Sequence, residues 1–268
     1  MIERIPSRVV EKVWGSTQLE PLFPNAAEKT GEVWFEGTAD FPLLIKFLFT
    51  TENLSVQVHP NDEYAQERHP ELGPGARGKT EMWHILRAES GAQIAAGFRE
   101  PITPQRLREA SQSGEIEQLL AWHDARPGDT FFIPAGTVHA IGAGLVLCEI
   151  QQSSDITYRL YDYGRPRELH LDDSVKVSHL GPHEARQQPK PLPDGGHLLA
   201  ECPYFTTHCH KITGQWRCES SPRHRRIVVL DGQGEIEGKE IRAGEVWHVP
   251  AHENPFHISG TVTVLVTY

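Results

Sequence analysis

The stretch Arg126-Pro-Gly-Asp-Thr-Phe-Phe-Ile-Pro134-Ala135 (RPGDTFFIPA) occurs twice in this chain. It returns as RAGEVWHVPA, Arg242 to Ala251. Each copy reads as a glycine turn, a short apolar strand and a proline that ends it. Each is followed by a β-rich run, AIGAGLVLCEI in the first and ISGTVTVLVTY in the second. Upstream, HILRAESGAQI (84–94) resembles VVLDGQGEI (228–236). An internal repeat of β-units separated by turns predicts two small barrels or sandwiches in tandem, an all-β fold.

The copies part company just after the shared turn. The first continues Gly136-Thr137-Val138-His139, the second His252-Glu253-Asn254-Pro255, so Pro255 stands where His139 stood. A histidine that one copy folds without is a candidate for function rather than for folding. Three further positions in the first unit join it. In LSVQVHP (54–60), strand alternation puts Ser55, Gln57 and His59 on one face and Val56 and Val58 on the other. In TEMWHIL (80–86), Glu81 opens an apolar strand beside Lys79. Two imidazoles, a carboxylate and an amide oxygen, with no thiolate, suit Zn²⁺, Mn²⁺, Fe²⁺, Co²⁺ or Ni²⁺. His208-Cys209-His210 also has H-x-H spacing but lacks such companions and reads as ordinary strand. Arg223–Arg226 reads as a solvated face, and His84 and His123 as structural histidines.

The rest of the chain frames these units. It has 268 residues, 23 Gly, 20 Pro and a formal net charge of −10. That acidity argues against a nucleic-acid or anionic-membrane surface and leaves room for a small anionic substrate held by local cations. Leu43–Phe49 reads as a buried strand. Asn61 or Asp62 caps a short helix through Glu63–Arg68. Thr103-Pro104 starts two short helices filling 104–122, and Asp172 caps another through Val177. The expected division is a first domain over 1–180, a linker over 181–196 and a degenerate second domain over 197–268. The N-terminus has no apolar core of signal-peptide length, and no run approaches a membrane span. The four cysteines form no CxxC pair, so reduced packing thiols in a cytoplasmic protein are expected. The oligomeric state is left open.

The spacing Gly128-x5-Pro134-x-Gly136-x2-His139 resembles the second motif of the cupin superfamily, with Ala143 where an asparagine usually follows. Gln57 takes the place of the first histidine of the first cupin motif. Together, LSVQVHPND (54–62), GKTEMWHIL (78–86), PAGTVHAIG (134–142) and EIQQSSDITYRLYDYGR (149–165) resemble the type I mannose-6-phosphate isomerases of the short bacterial kind. Val13-Trp14-Gly15 and ELHLDDS (168–174) fit as well. The resemblance implies tandem cupin barrels and one zinc ion held by Gln57, His59, Glu81 and His139. It also implies a hexose 6-phosphate substrate isomerised between mannose and fructose forms through an enediol. Arg159, Glu149 and Lys79 would be catalytic, and Ser55, Arg165 and Trp14 would meet the substrate. The base stays open among Glu149, Lys79 and a metal-bound water, as does which of Lys79, Arg159 and Arg165 takes the phosphate. Without the resemblance, Arg159 and Arg165 would simply pair with Asp155 and Asp162. The rival readings are another metal-dependent cupin enzyme, such as an oxygenase, and a sugar-phosphate-binding sensor without catalysis.

Overall fold

A computed structural model describes residues 1–268, the side chain of Pro74 excepted. The chain forms two compact units. One comprises Val13–Gly15 and Leu48–Gln187; the other comprises Met1–Lys12, Ser16–Phe47 and Gln188–Tyr268. The division therefore differs from a single cut at residue 180, because most of the first 47 residues cluster with the C-terminal repeat. The 181–196 segment is not bare linker either, since it carries the two-residue strands Arg186–Gln187 and Lys190–Pro191. Among the described residues, no helix is long and apolar enough to cross a membrane.

The unit containing Leu48–Gln187 is a two-sheet β-structure. In one sheet the order is Tyr158–Tyr161, Val56–Val58, His139–Ile141, Gln93–Phe98, Leu120–Asp124. In the other, Arg186–Gln187, Thr130–Ile133, Glu81–Ala88 and Leu145–Gln152 run side by side. All these pairings are antiparallel. Alternation along the first sheet divides its two faces. Val56, Val58, Val138, Ala140, Tyr158 and Leu160 pack in a cluster with Ala65, Leu107, Ala110 and Ile116 of the short helices. The opposite face, carrying Gln57, His139 and Ile141, turns towards a core that contains Trp83, Ile85, Ile94, Phe131, Ile133 and Leu147. The valines of LSVQVHP are thus buried against helices, and that directs its polar side chains inward.

The helices follow their capping residues. Asn61 Oδ1 accepts from Tyr64 N–H and starts Asp62–Arg68. Thr103 Oγ1 accepts from Arg106 N–H, with Pro104 at the first turn of Pro104–Ser113. Gly114, in a left-handed conformation, ends that helix. The next helix is only Ile116–Leu119, and Leu120–Asp124 is strand, so helix does not fill the segment to 122. Leu120 is fully buried and pairs with Phe98 across the sheet, which decides for strand. The helix Leu171–Val177 is preceded by His170, and Asp172 lies in its first turn, where a carboxylate favours the helix dipole, rather than at its cap.

The strand Leu43–Phe49 is buried along its length, and its residues up to Phe47 belong to the second unit. That unit also contains an antiparallel sheet ordered Glu3–Arg4, Val246–Val249, Arg225–Ile236, Phe256–Thr267, Thr206–Cys218, His197–Glu201, Lys190–Pro191. Lys239–Arg242 pairs with Arg225–Ile236. Its apolar interior includes Ile212, Ile227, Val229, Ile258, Val262 and Val264. The basic run is a solvated face only at its start, where Arg223 is exposed. Arg225 and Arg226 are each 3% exposed. Arg225 Nη1 donates to Cys218 Sγ at 3.1 Å, and its guanidinium lies 5.6 Å from the Phe256 ring centroid. Arg226 stacks on Phe41 at 4.2 Å and bonds the ring of His248. Strand alternation sends the two guanidiniums to opposite faces, both of which are covered.

Candidate metal centre

Three segments of the first unit bring His59, Glu81 and His139 together. His139 lies directly opposite Gln57 in the sheet, and Gln57 directly opposite Arg159, so the three share one row on the inward face. His59 follows Gln57 by two and faces the same way. Glu81 comes from the facing sheet. There it pairs with Gln151, and Trp83 pairs with Glu149. The turn before His139 is tied to the other histidine, since Gly136 N–H donates to the His59 carbonyl at 2.8 Å. Lys79 N–H donates to the Pro60 carbonyl at 3.0 Å, which anchors the approach to Glu81.

The ligand atoms of His59, Glu81 and His139 lie within 4.8 Å of one another, the only such group of three or more His, Cys, Asp or Glu among the described residues. Each residue is 1% exposed. His59 Nδ1 is 2.9 Å from the Ile156 carbonyl, and His139 Nδ1 is 2.8 Å from the Thr137 carbonyl. A carbonyl only accepts, so each Nδ1 carries the proton and each Nε2 presents its lone pair to the cluster. His59 Nε2 is 3.8 Å from Glu81 Oε2, and His139 Nε2 is 3.5 Å from Glu81 Oε1. Burial pushes the His139 pKa down to about 4, so the ring is neutral near pH 7 and able to ligate.

Gln57 borders this group. Its Nε2 is 3.3 Å from His139 Nε2, and its Oε1 accepts from Ser55 Oγ at 3.1 Å. An amide oxygen donated to a cation requires the opposite amide orientation, a rotation of the amide plane alone.

Charge converges on the same place. The Lys79 ammonium, 4% exposed, lies 2.9 Å from Glu81 Oε2, 3.1 Å from His59 Nε2 and 3.8 Å from Glu149 Oε1. Glu149 is 3% exposed, and its Oε2 accepts from Trp83 Nε1 at 3.1 Å. Two buried carboxylates against one buried ammonium leave an excess of negative charge, which a divalent cation relieves. The donor set fits such an ion. It has neutral imidazoles oriented by carbonyls, a carboxylate between them and no thiolate.

The remaining expected site residues lie around this centre in different ways. Arg159 is half-buried in the same row as Gln57, and its Nη1 donates to the Glu168 carbonyl at 3.0 Å rather than to Asp155. Burial lowers its pKa from the usual arginine value, from which it stays protonated. Arg165 is tied to Asp162 and to the Asn53 carbonyl. Trp14 is 3% exposed and packs in the apolar core with Leu48 and Leu54, rather than in the polar cluster. His84 bonds Thr130 Oγ1 at 2.9 Å in a structural role. His208 and His210 lie in the strand Thr206–Cys218, against Tyr268 and Trp216 respectively. The free cysteines Cys148, Cys209 and Cys218 are buried, and burial raises all three thiol pKa values. Sequence reading passed over Trp83. It holds Glu149 and meets the His139 ring edge-on, with centroids 5.3 Å apart. Its position two residues after Glu81 was the available signal.

Comparison with known proteins agrees with this picture. Residues 3–94 match the family model of the phosphomannose isomerase type I catalytic domain, and residues 196–268 that of the mannose-6-phosphate isomerase cupin domain. The chain is 31% identical over 313 aligned positions to the mannose-6-phosphate isomerase of Streptococcus mutans serotype c, covering 98% of this chain and 97% of that one. It is 32% identical over 312 positions to the mannose-6-phosphate isomerase ManA of Bacillus subtilis, covering 96% of each. The crystal structure of the mannose 6-phosphate isomerase from Bacillus subtilis superimposes with a TM-score of 0.87 at 28% identity, over 99% of this chain and 98% of that one. Tandem β-units with one buried His/Glu/His centre define a cupin-fold sugar-phosphate isomerase. The chain belongs to the type I phosphomannose isomerase family.

Proposed function

We propose that this chain interconverts mannose 6-phosphate and fructose 6-phosphate at the His59/Glu81/His139 cluster. In this reading Gln57, His59, Glu81 and His139 hold one zinc ion, and the C-terminal repeat, with Pro255 in place of His139, holds none. The observation that carries the reading is the convergence of both Nε2 lone pairs and the Glu81 carboxylate on one buried point. Lys79 and Glu149 lie at the edge of that point.

Isomerisation moves a proton between C1 and C2 and places negative charge on oxygen along the way. When bound, the metal supplies a Lewis acid that stabilises this charge. The protein groups supply the rest. Lys79 and Glu149 face each other as a buried ammonium and carboxylate, 3.8 Å apart at their closest atoms, so one can take a proton while the other gives one. Trp83 Nε1 fixes one oxygen of Glu149 and leaves the other towards Lys79. Arg159, beside Gln57 on the inward face, adds a fixed positive charge for the developing oxyanion. Ser55 sets the Gln57 amide and borders the sugar, while Trp14 supports the wall from the core.

Two substitutions separate the roles. His139→Ala is expected to lose both bound metal and turnover, while Arg159→Ala keeps metal and loses at least about 100-fold in kcat. Metal content by elemental analysis beside steady-state rates makes the comparison. Full metal and activity in the His139 variant would refute the site.

A further inference from the structure

His139 and the strand leading to His59 lie side by side in one sheet, whereas Glu81 comes from the sheet that faces it. The spacing of the cluster therefore depends on what joins the two sheets at that end. Gln152 ends the strand Leu145–Gln152, is 1% exposed and makes that join. Its Oε1 accepts from Thr80 N–H at 2.9 Å, immediately before Glu81. Its Nε2 donates to Asp62 Oδ1 at 2.8 Å, just beyond His59 and Pro60. The same Asp62 oxygen accepts from Gly78 N–H at 2.7 Å. Thr80 Oγ1 accepts from Ala135 N–H at 3.2 Å, in the turn before His139. The backbone repeats the join, since Gln152 N–H donates to the Thr80 carbonyl at 3.1 Å. One chain of hydrogen bonds thus runs through the segments that carry His59, Glu81 and His139.

Both ends of the Gln152 amide are dictated. A backbone N–H only donates and a carboxylate only accepts, so the oxygen faces Thr80 and the nitrogen faces Asp62. A carboxylate in place of this amide would set two acceptors against each other. A leucine would leave Thr80 N–H buried without its acceptor. There is no slack where the bonds cross, because a Cβ on Gly78 would lie 2.6 Å from the Pro60 carbonyl oxygen. Gln151 extends the brace to the other side of His59. Its Nε2 donates to the carbonyls of Gln152 and Ser154, both at 2.7 Å. The loop held in this way leads to Ile156, whose carbonyl takes the His59 Nδ1 proton.

We propose that Gln152, through Asp62 and Thr80, is a positioning residue of the metal centre. It sets the separation of Glu81 from His59 and His139, and with it the affinity and geometry of the bound ion. This rests on the reading of His59, Glu81 and His139 as metal ligands.

The test uses the full chain, stripped of metal and titrated with zinc, and in parallel loaded with cobalt, whose visible absorption reports coordination geometry. Gln152→Leu is expected to weaken zinc affinity by about 10- to 100-fold and to shift the cobalt bands while the metal-free protein stays folded. Gln152→Glu is expected to act in the same direction. Adding Asp62→Asn to it is expected to recover most of the loss, since amide and carboxylate have then changed places. Should Gln152→Leu fail to fold, Asp62→Ala, at a half-buried position, is expected to show the same weakening. Wild-type zinc affinity and cobalt bands in Gln152→Leu, or in Asp62→Ala where it stands in, would overturn the positioning role even if the melting temperature falls. A double variant that binds zinc no better than Gln152→Glu alone would overturn it too. Wild-type protein that takes up neither zinc nor cobalt would sink the metal-centre reading and this proposal with it. Wild-type protein that takes up both, beside an unaffected Gln152→Leu variant, would sink the proposal alone.

Discussion

His59 and His139 show how little separates a structural histidine from a candidate ligand. Each uses Nδ1–H on a backbone carbonyl, and each thereby commits Nε2 to the cluster. Burial that would be costly for an imidazolium suits a neutral ring. This sets a pH dependence. The His139 pKa falls from 6.5 in the unfolded chain to about 4 in the folded one. The unfolded state therefore takes up the proton first as pH falls. The contribution of this residue is complete above about pH 6.5, declines below it and is gone near pH 4, a total of about 3 kcal/mol. His248, lowered to about 4 chiefly by its own burial, adds to the same slope, so stability alone does not isolate His139. Metal retention does. Dialysis of the folded protein at descending pH is expected to keep zinc bound at about pH 6 and to release it only as the pH falls through about 4, where protonation of the His139 Nε2 competes directly with the ion. Zinc released near about pH 6 from a protein that is still folded would contradict a buried neutral-imidazole site.

At the scale of the element, the decisive feature is the face on which each strand turns its polar residues. Alternation in LSVQVHP placed Gln57 and His59 together correctly, because a period of two survives whatever the strand packs against. What alternation did not reveal is that the valine face meets helices while the polar face meets the barrel core. Both faces are buried, and sequence period alone cannot rank two buried faces. Helix starts were legible where a side chain caps them, at Asn61 and Thr103, and misread at Asp172, where a backbone turn through His170 begins the helix instead. The turn at Gly136 carries a prediction of its own. Its φ is +86°, and a Cβ there would lie 2.9 Å from the Val177 carbonyl. Gly136→Ala is expected to cost about 1–3 kcal/mol and to weaken metal affinity, since the same residue bonds His59 and leads into His139. Thermal unfolding together with zinc titration checks both effects; wild-type values in each would show that the turn does not set the centre.

At the scale of the whole molecule, the repeat was legible and its boundaries were not. RPGDTFFIPA and RAGEVWHVPA do form equivalent strands, Thr130–Ile133 and Val246–Val249. Yet Met1–Lys12 and Ser16–Phe47 join the C-terminal unit through pairings such as Glu3 with His248, which are hundreds of residues apart in sequence. No local pattern records a partner that distant. The same holds for Arg225 and Arg226, which composition assigns to solvent and the fold covers on both faces. The candidate metal centre escaped this problem because His59, Glu81 and His139 sit in motifs dense enough to be recognised together, and the fold brings the three into one cluster. The central claim is that this buried centre performs a metal-dependent isomerisation of a sugar phosphate. The measurement that tests it most directly is conversion of mannose 6-phosphate to fructose 6-phosphate by the purified chain, before chelation, after chelation and after zinc is restored. The account predicts turnover that disappears with the metal and returns with zinc. Turnover that persists in a fully metal-stripped protein, or its absence from a folded zinc-loaded one, would contradict it.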